Sequence, residues 1–272
     1  MARIVCGVDR SIPARAAARL SAALARRLEL GLVLEHAVPR ADDRPDALAM
    51  LEALRRELGV PTARLRADVG PATERLTKAS LGADLLVVGG ANGQVDRTRF
   101  GGSVRASLAR HARCPMAVVP AVPRLGGREV ICGVRDWADV ATATVANRFA
   151  GAIGLPLLLM HILPPAAGHG EAPSPAALER PWDDEAAYQL LELVANAVGG
   201  TPSLRVEPGT AGRRLAYEAT AREAGLLVVG APTRGPLGAA LTGSVSAHLM
   251  RRSQRPLVIC CGAAMPSLPQ AF

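Results

Sequence analysis

One pattern of apolar and polar segments occurs twice along the chain. The segment Leu85–Gly89 reads Leu-Leu-Val-Val-Gly and recurs unchanged as Leu226–Gly230. In each copy a Gly-Ser-Val triplet follows at the same distance, at 102–104 and at 243–245. This constant spacing means that neither copy has gained or lost a residue across the stretch. Self-similarity on this scale indicates two copies of one domain.

The front of each copy matches as well. The apolar run Ile4–Val8 corresponds to Val130–Val134, and Leu32–His36 corresponds to Leu157–His161. After His161 the second copy carries an additional segment rich in proline, glycine and alanine, which we interpret as an exposed loop. A last apolar run opened by a proline ends both copies. A further segment ends at Val69-Gly70 in the first copy and at Pro208-Gly209 in the second, so each copy contains five predicted strands.

Between the apolar runs, three- and four-residue spacing of leucine and alanine predicts helices. In the first copy these cover residues 14–30, 45–58, 71–81 and 103–112, with Ser11 as the N-cap of the first helix. The strands are rich in valine, isoleucine and leucine with little alternation, which is typical of parallel strands covered on both faces. We therefore predict an α/β fold with two domains, residues 1–122 and 128–262, joined by a short Pro/Gly linker.

Composition narrows the class of protein. The net charge is +8, but the excess lies in the first copy, and aromatic residues make up only 3% of the chain, too few for base stacking. We therefore expect no nucleic-acid partner. No apolar run is long enough to span a bilayer and no signal-peptide pattern opens the chain, so we expect a cytoplasmic protein without a membrane partner. The five cysteines lack metal-ligand spacing, so we expect no metal site.

The chemistry suggested by the repeat is phosphate binding. In the first copy Gly89 and Gly90 let the chain turn sharply after a strand, and Gly102 and Ser103 open the next helix. Free N–H groups and the helix dipole favour a phosphate at such a helix start. Asp9, at the end of the first strand, could accept a hydrogen bond from a ribose hydroxyl or hold a metal-bound water. Glycines at strand ends also serve as structural turns, so both interpretations stay open.

With these residues the chain resembles a tandem universal stress protein. The resemblance implies two Rossmann-like domains, of the adenine nucleotide α-hydrolase type, each with a five-stranded parallel sheet of order 3-2-1-4-5 and helices on both faces. It also implies that the two domains form an intramolecular pseudo-dimer through their fifth strands, at Val118-Val119 and Val258-Ile259. A further homodimer stays open.

The ATP-binding branch of that family carries a loop of the form Gly-x2-Gly-x9-Gly-Ser/Thr. Here the middle glycine is replaced by Asn92 in the first copy and by Thr233 in the second, and the strand-one aspartate falls on Asp9 and on Arg135. The resemblance implies that nucleotide would contact Val8, Asp9, Ala37, Val88, Gly89, Gly90, Asn92, Gly102, Ser103 and Val104 in the first domain, and Arg135, Ile162, Gly230, Thr233, Gly243, Ser244 and Val245 in the second.

The family resemblance predicts a cytoplasmic stress-response protein that binds ATP, with Mg²⁺ held through the phosphates, and acts as a regulator or sensor. Because the second copy departs further from the family's loop and lacks the aspartate, we expect the nucleotide mainly in the first domain. No nucleophile–base pair is visible, so we predict no enzyme activity. Two alternatives remain, namely an interaction scaffold without nucleotide and a slow ATP hydrolase.

Overall fold

The computed structural model describes residues 2–90, 104–121, 126–164, 184–231 and 244–260. Within them ten strands form one sheet. The strands of the first half are β1 (Arg3–Gly7), β2 (Gly31–Val38), β3 (Arg64–Val69), β4 (Leu85–Gly89) and β5 (Met116–Val119), and those of the second are β6 (Val130–Gly133), β7 (Leu157–Leu163), β8 (Ser203–Pro208), β9 (Leu226–Gly230) and β10 (Leu257–Cys260).

Eight described α-helices connect these strands. They are α1 (Ile12–Arg27), α2 (Arg44–Glu57), α3 (Ala72–Ala79), α4 (Val104–His111), α5 (Val140–Ile153), α6 (Asp184–Val198), α7 (Ala211–Ala221) and α8 (Ser244–Arg252). Ser11 caps α1, as the sequence predicts, because its Oγ accepts a hydrogen bond from the Ala14 N–H at 3.3 Å. The four helices predicted for the first half are all present, each within a few residues of the predicted bounds.

The strand order across the sheet is β3-β2-β1-β4-β5-β10-β9-β6-β7-β8. Within each half every neighbouring pair is parallel, and the order of the first half is repeated in the second. The two halves meet where β5 pairs with β10, and this pairing is antiparallel, with Leu257 opposite Val118 and Ile259 opposite Met116. The α/β class with a parallel-dominated sheet, predicted from the apolar runs, is confirmed.

Helices cover both faces of the sheet, which explains why the strand sequences do not alternate. One apolar core joins α1, α2, α5 and α6 to one face, and a second joins α3, α4, α7 and α8 to the other. Phe149 of α5 is fully buried in the first core, and Leu108 of α4 is fully buried in the second. Because all strands of a half run the same way, their carboxyl ends share one edge. That edge is where ligands bind in open parallel sheets.

Candidate functional site

Asp9 lies at the carboxyl edge of the first half, directly after β1. The β1–β2 ladder extends one residue past the strand, since the Val8 N–H donates to the Glu35 carbonyl at 2.8 Å. Val8 is buried, whereas Asp9 is exposed. The Asp9 Oδ1 atom accepts a hydrogen bond from the Ser11 N–H at 2.8 Å. The carboxylate is therefore fixed in the turn between β1 and α1 while it stays open to solvent.

The glycines at the end of β4, Gly89 and Gly90, allow close contact between backbones. A Cβ added to Gly89 would lie 2.7 Å from the Ala14 nitrogen and equally close to the Pro13 carbonyl carbon. A Cβ on Gly90 would lie 2.9 Å from the Val119 oxygen. Close packing of the backbone is thus a sufficient reason for glycine at both positions. A phosphate-binding role for them stays a prediction, although the same close approach brings the end of β4 against the first turn of α1.

The histidines at the ends of β2 and β7 have equivalent contacts. The His36 Nδ1 atom lies 2.6 Å from the Val8 carbonyl oxygen, and the His161 Nδ1 atom lies 3.0 Å from the Val134 carbonyl oxygen. Since a carbonyl can only accept, each imidazole donates from Nδ1. Both histidines therefore hold the chain after the first strand of their half, as expected for a shared packing role.

The next residue of each of these strands, Ala37 or Ile162, is half-buried at the same edge. Val88 is buried in β4, and Val104 and Val245 lie in the first turns of α4 and α8, half-buried against the core of that face. Ser244 begins α8. Five predicted site residues lie outside the described residues, namely Asn92, Gly102, Ser103, Thr233 and Gly243. The structure brings the described members of each set to one edge of its half.

In the second half Asp136 takes over the contact that Asp9 makes in the first. The Asp136 Oδ1 atom accepts from the Ala138 N–H at 2.9 Å, two residues ahead, as Asp9 does from Ser11. Arg135, which aligns with Asp9, is exposed, and its Nε donates to the Asp136 carboxylate at 2.8 Å. The turn thus has the same shape in both halves, while the exposed carboxylate of the first half is replaced by an ion pair in the second.

Asp139 is one of two site residues that sequence reasoning missed. It is 6% exposed, and its Oδ2 accepts a hydrogen bond from the Arg135 N–H at 2.8 Å. A Cβ on Gly230 would collide with its Oδ1, and would also lie 3.0 Å from the Thr142 hydroxyl. Gly230 therefore faces a carboxylate, whereas the equivalent Gly89 faces α1 backbone. The signal that could have found Asp139 is its place at the N-cap of α5.

Burial raises the pKa of the Asp139 carboxyl above its usual 3.8, against the opposing effects of the Arg135 N–H and of the Arg135 charge. Asp136 adds to the increase as a second negative charge. The carboxyl edge of the second half is therefore an acidic environment from which water is partly excluded. Within the described part of the chain, no group of histidines, cysteines and carboxylates has the arrangement of a metal site.

A second buried carboxyl, Glu35, lies on β2 beneath the edge of the first half. It is 1% exposed, lies opposite Gly7 of β1, and its Oε2 has no hydrogen-bond partner among the described residues. Burial and the nearby Asp68 raise its pKa to about 7, although Arg66 and Arg75 act in the opposite direction. The second half has methionine at this register position. Sequence reasoning missed Glu35 because a charged residue late in a strand looks like an exposed strand end.

The fold and these edges define a repeated Rossmann-like α/β protein. The model of the universal stress protein family matches residues 1–120 and 135–260, and the chain therefore belongs to that family. The resemblance seen in the sequence is confirmed. The chain is 26% identical over 287 residues to the universal stress protein Rv2623 of Mycobacterium tuberculosis, with 94% of this chain and 95% of that protein covered.

Solved structures show the same fold over nearly the whole chain. A universal stress protein from Archaeoglobus fulgidus superposes with a TM-score of 0.71 at 17% identity and covers 95% of this chain and 98% of its own. A functionally unknown protein from Pseudomonas aeruginosa superposes with a TM-score of 0.70 at 14% identity, covering 95% and 92%. In the described residues of this chain, no helix has both the length and the apolar character needed to cross a bilayer.

Proposed function

We propose that this chain is a cytoplasmic regulator or sensor of the stress response that binds one ATP, with Mg²⁺ held through the phosphates, at the carboxyl edge of its first half. The observation that carries the proposal is Asp9, an exposed carboxylate fixed by the Ser11 N–H at the end of β1. A carboxylate held in this way can accept hydrogen bonds from a ribose without first being ordered, which lowers the cost of binding.

Small residues lie at the strand ends beside Asp9. Ala37 presents only a methyl group near the end of β2, and β4 ends at Gly89, which Gly90 follows. The family resemblance implies that Ala37 faces the base and that the glycines at the end of β4 face the phosphates. The base would then lie above β2, the ribose above β1 and the phosphates at the end of β4, in the order in which these strands neighbour one another.

The second half is a poorer site, because its own carboxylate lies where phosphate would approach. Asp139 contacts the position of Gly230 and is screened from water. Two unit charges of the same sign 4 Å apart repel by about 4 kcal/mol at an effective dielectric constant of about 20. Such a repulsion reduces the binding constant by about three orders of magnitude. The side chain of Arg135 offsets only part of this, because it is also paired with Asp136.

We propose no catalytic activity. The described residues at either edge present carboxylates and backbone groups but no nucleophile–base pair, and binding alone suits a sensor whose conformation or partner choice follows nucleotide level. An interaction scaffold without nucleotide is the second candidate, favoured by the absence of the middle glycine at Asn92 and Thr233. A slow hydrolase is the third.

Isothermal titration calorimetry with ATP and Mg²⁺ tests the proposal. We expect one site per chain in the parent and a loss of affinity of about tenfold in Asp9→Ala, because one charge-assisted hydrogen bond is worth about 1.5 kcal/mol or more. Asp136→Ala is the matched control, since it removes the equivalent turn contact in the other half, and it should bind ATP like the parent.

Absence of heat and of any thermal shift in the parent would favour the scaffold instead. Equal loss in the Asp9 and Asp136 variants would contradict the assignment of nucleotide to the first half. Release of ADP, AMP or phosphate from ATP during long incubation, measured by chromatography, would favour the hydrolase.

A further inference from the structure

The antiparallel pairing of β5 with β10 brings part of the second half to the carboxyl edge of the first. Leu257 lies opposite Val118, so the same register places Arg255 opposite Pro120, just beyond the strands. Gly90 lies beside these residues, because its N–H donates to the Val119 carbonyl at 2.6 Å. Residues of both halves therefore meet beside the end of β4.

A small groove lies at this junction, which we call the seam groove. Gly90 and Pro120 of the first half line it together with Arg251, Ser253 and Arg255 of the second. Its volume is about 40 Å³. Pockets that enclose whole drug-sized ligands measure about 300 Å³ or more. The seam groove therefore suits a small chemical group, such as one phosphate, and not an entire nucleotide.

The buried side of the seam groove is held rigidly. Arg255 is 3% exposed, and its Nη1 donates to the Gly126 carbonyl at 3.3 Å. The Ser253 hydroxyl donates to the Arg255 carbonyl at 2.8 Å and accepts from the Arg255 N–H at 3.2 Å. These contacts fix the turn between α8 and β10, so the guanidinium of Arg255 is placed before any ligand arrives.

Arg251 supplies the exposed side of the seam groove, in the last turn of α8. Among the residues that the structure describes, no carboxylate forms an ion pair with it. The surroundings are basic. Burial lowers the pKa of His248, and the nearby charges of Arg251, Arg252 and Arg213 lower it further. The helix end contributes only about half a negative charge, which the guanidinium group of Arg251 exceeds. The seam groove therefore favours an oxyanion.

The strand order shows how an oxyanion could reach the seam groove. The order β2, β1, β4, β5, β10 would place base, ribose and first phosphates of the proposed nucleotide above β2, β1 and β4 in turn. A chain of phosphates that continues in this direction passes Gly90 towards β5 and β10. Neighbouring strands are only about 4.8 Å apart, and Gly90 itself lines the seam groove, so among the described residues the seam groove lies directly on this path.

We infer that Arg251, supported by Arg255, binds the terminal phosphate of a nucleotide held by the first half, so that the second half completes the binding site of the first. This inference rests on the proposed function. It assigns to the second half a role that does not need a nucleotide of its own. It also makes the protein sensitive to the number of phosphates, because AMP is too short to reach Arg251 whereas ATP extends to it.

The test is calorimetric titration of the full chain with ATP–Mg²⁺ and, separately, with AMP. We expect Arg251→Gln to weaken ATP binding about tenfold, the effect of losing one charge-assisted contact, and to leave AMP binding unchanged. Arg251→Glu should weaken ATP binding further. Arg252→Gln is the matched control, since Arg252 is an exposed neighbour that does not line the seam groove, and it should bind both nucleotides like the parent.

The outcomes separate this inference from the proposed function. If the parent binds ATP and Arg251→Gln binds it equally well, the inference is overturned while the proposed function stands. An equal loss of ATP and AMP affinity in Arg251→Gln also overturns it, because such a loss reports a general change in the fold. A parent chain that binds neither nucleotide overturns both. Arg251 is exposed, so its substitution should leave the thermal midpoint unchanged.

Discussion

Replacing the buried Glu35 by glutamine should make the protein more stable in alkaline solution relative to the parent. Glu35 is 1% exposed, and burial, followed by the charge of Asp68, raises its pKa from an ordinary 4.5 to about 7. A carboxyl whose pKa is higher in the folded state binds its proton more tightly there. Its contribution to stability is therefore fully present below pH 4.5 and is lost as the pH rises through 7.

The expected magnitude follows from the two pKa values. A difference of about 2.5 pKa units corresponds to a free-energy difference of about 3 kcal/mol once the group is ionised in both states. Between pH 5 and pH 8 the parent should lose about 2.5 kcal/mol relative to the variant, since part of the effect is already present at pH 5. The amide has its own cost of burial, but that cost does not change with pH.

The assay is urea denaturation followed by circular dichroism at pH 5, 6, 7 and 8 for the parent, Glu35→Gln and Glu35→Met. Methionine is the natural comparison, because Met160 occupies the equivalent register position opposite Gly133 in the second half. Both variants should show the same change relative to the parent, which isolates the carboxyl. A difference in unfolding free energy that stays constant across this pH range would show that burial does not raise the pKa of Glu35.

Three further predictions concern the two edges. Gly89→Ala should destabilise the fold by about 3 kcal/mol and Gly230→Ala by about 1 kcal/mol. The new Cβ meets backbone at Gly89 but a movable Asp139 side chain at Gly230. Thermal unfolding measures both changes, and a larger loss in Gly230→Ala would contradict this prediction. Asp139→Asn keeps the acceptor for the Arg135 N–H and removes the charge. Calorimetry should therefore detect ATP binding in the second half at least tenfold tighter than in the parent. An unchanged affinity would argue against repulsion as the cause of weak binding there. Glu207→Gln should cost about 1 kcal/mol in urea denaturation, since the partly exposed Arg205 loses its carboxylate whereas Arg214 keeps its ion pair with Glu218. A loss above about 3 kcal/mol would show that Glu218 does not compensate.

Much of the fold could be predicted from local patterns. The repeat of Leu85–Gly89 at Leu226–Gly230 indicated two copies, and unalternating valine-rich runs indicated parallel strands covered on both sides. These patterns are reliable because each strand must bury both faces, whatever its exact neighbours. Helix starts could also be read, as at Ser11, because a cap depends on residues within one turn.

The candidate edge was only partly predictable. The alignment of Asp9 with Arg135 suggested a reversal of charge, but the structure shows that Asp136 makes the equivalent turn contact and pairs with Arg135. Asp139 could be read as a helix cap but not as the group facing Gly230, because that contact joins residues that lie far apart in the chain. Glu35 was not predicted as a buried charge, because a charged residue towards the end of a strand is typical of an exposed strand end.

The sequence by itself determined that this chain contains two related α/β halves, because apolar periodicity and the repeat of its motifs are local properties that survive without knowledge of any contact. The family resemblance implied that the fifth strands meet, but only the tertiary structure decided how the halves differ and which residues lie beside one another at their junction. The antiparallel pairing of β5 with β10 places Arg251 and Arg255 beside Gly90, and no spacing along the chain encodes that neighbourhood. Charge and burial at an edge depend on which strands and helices come together, and that is a property of packing.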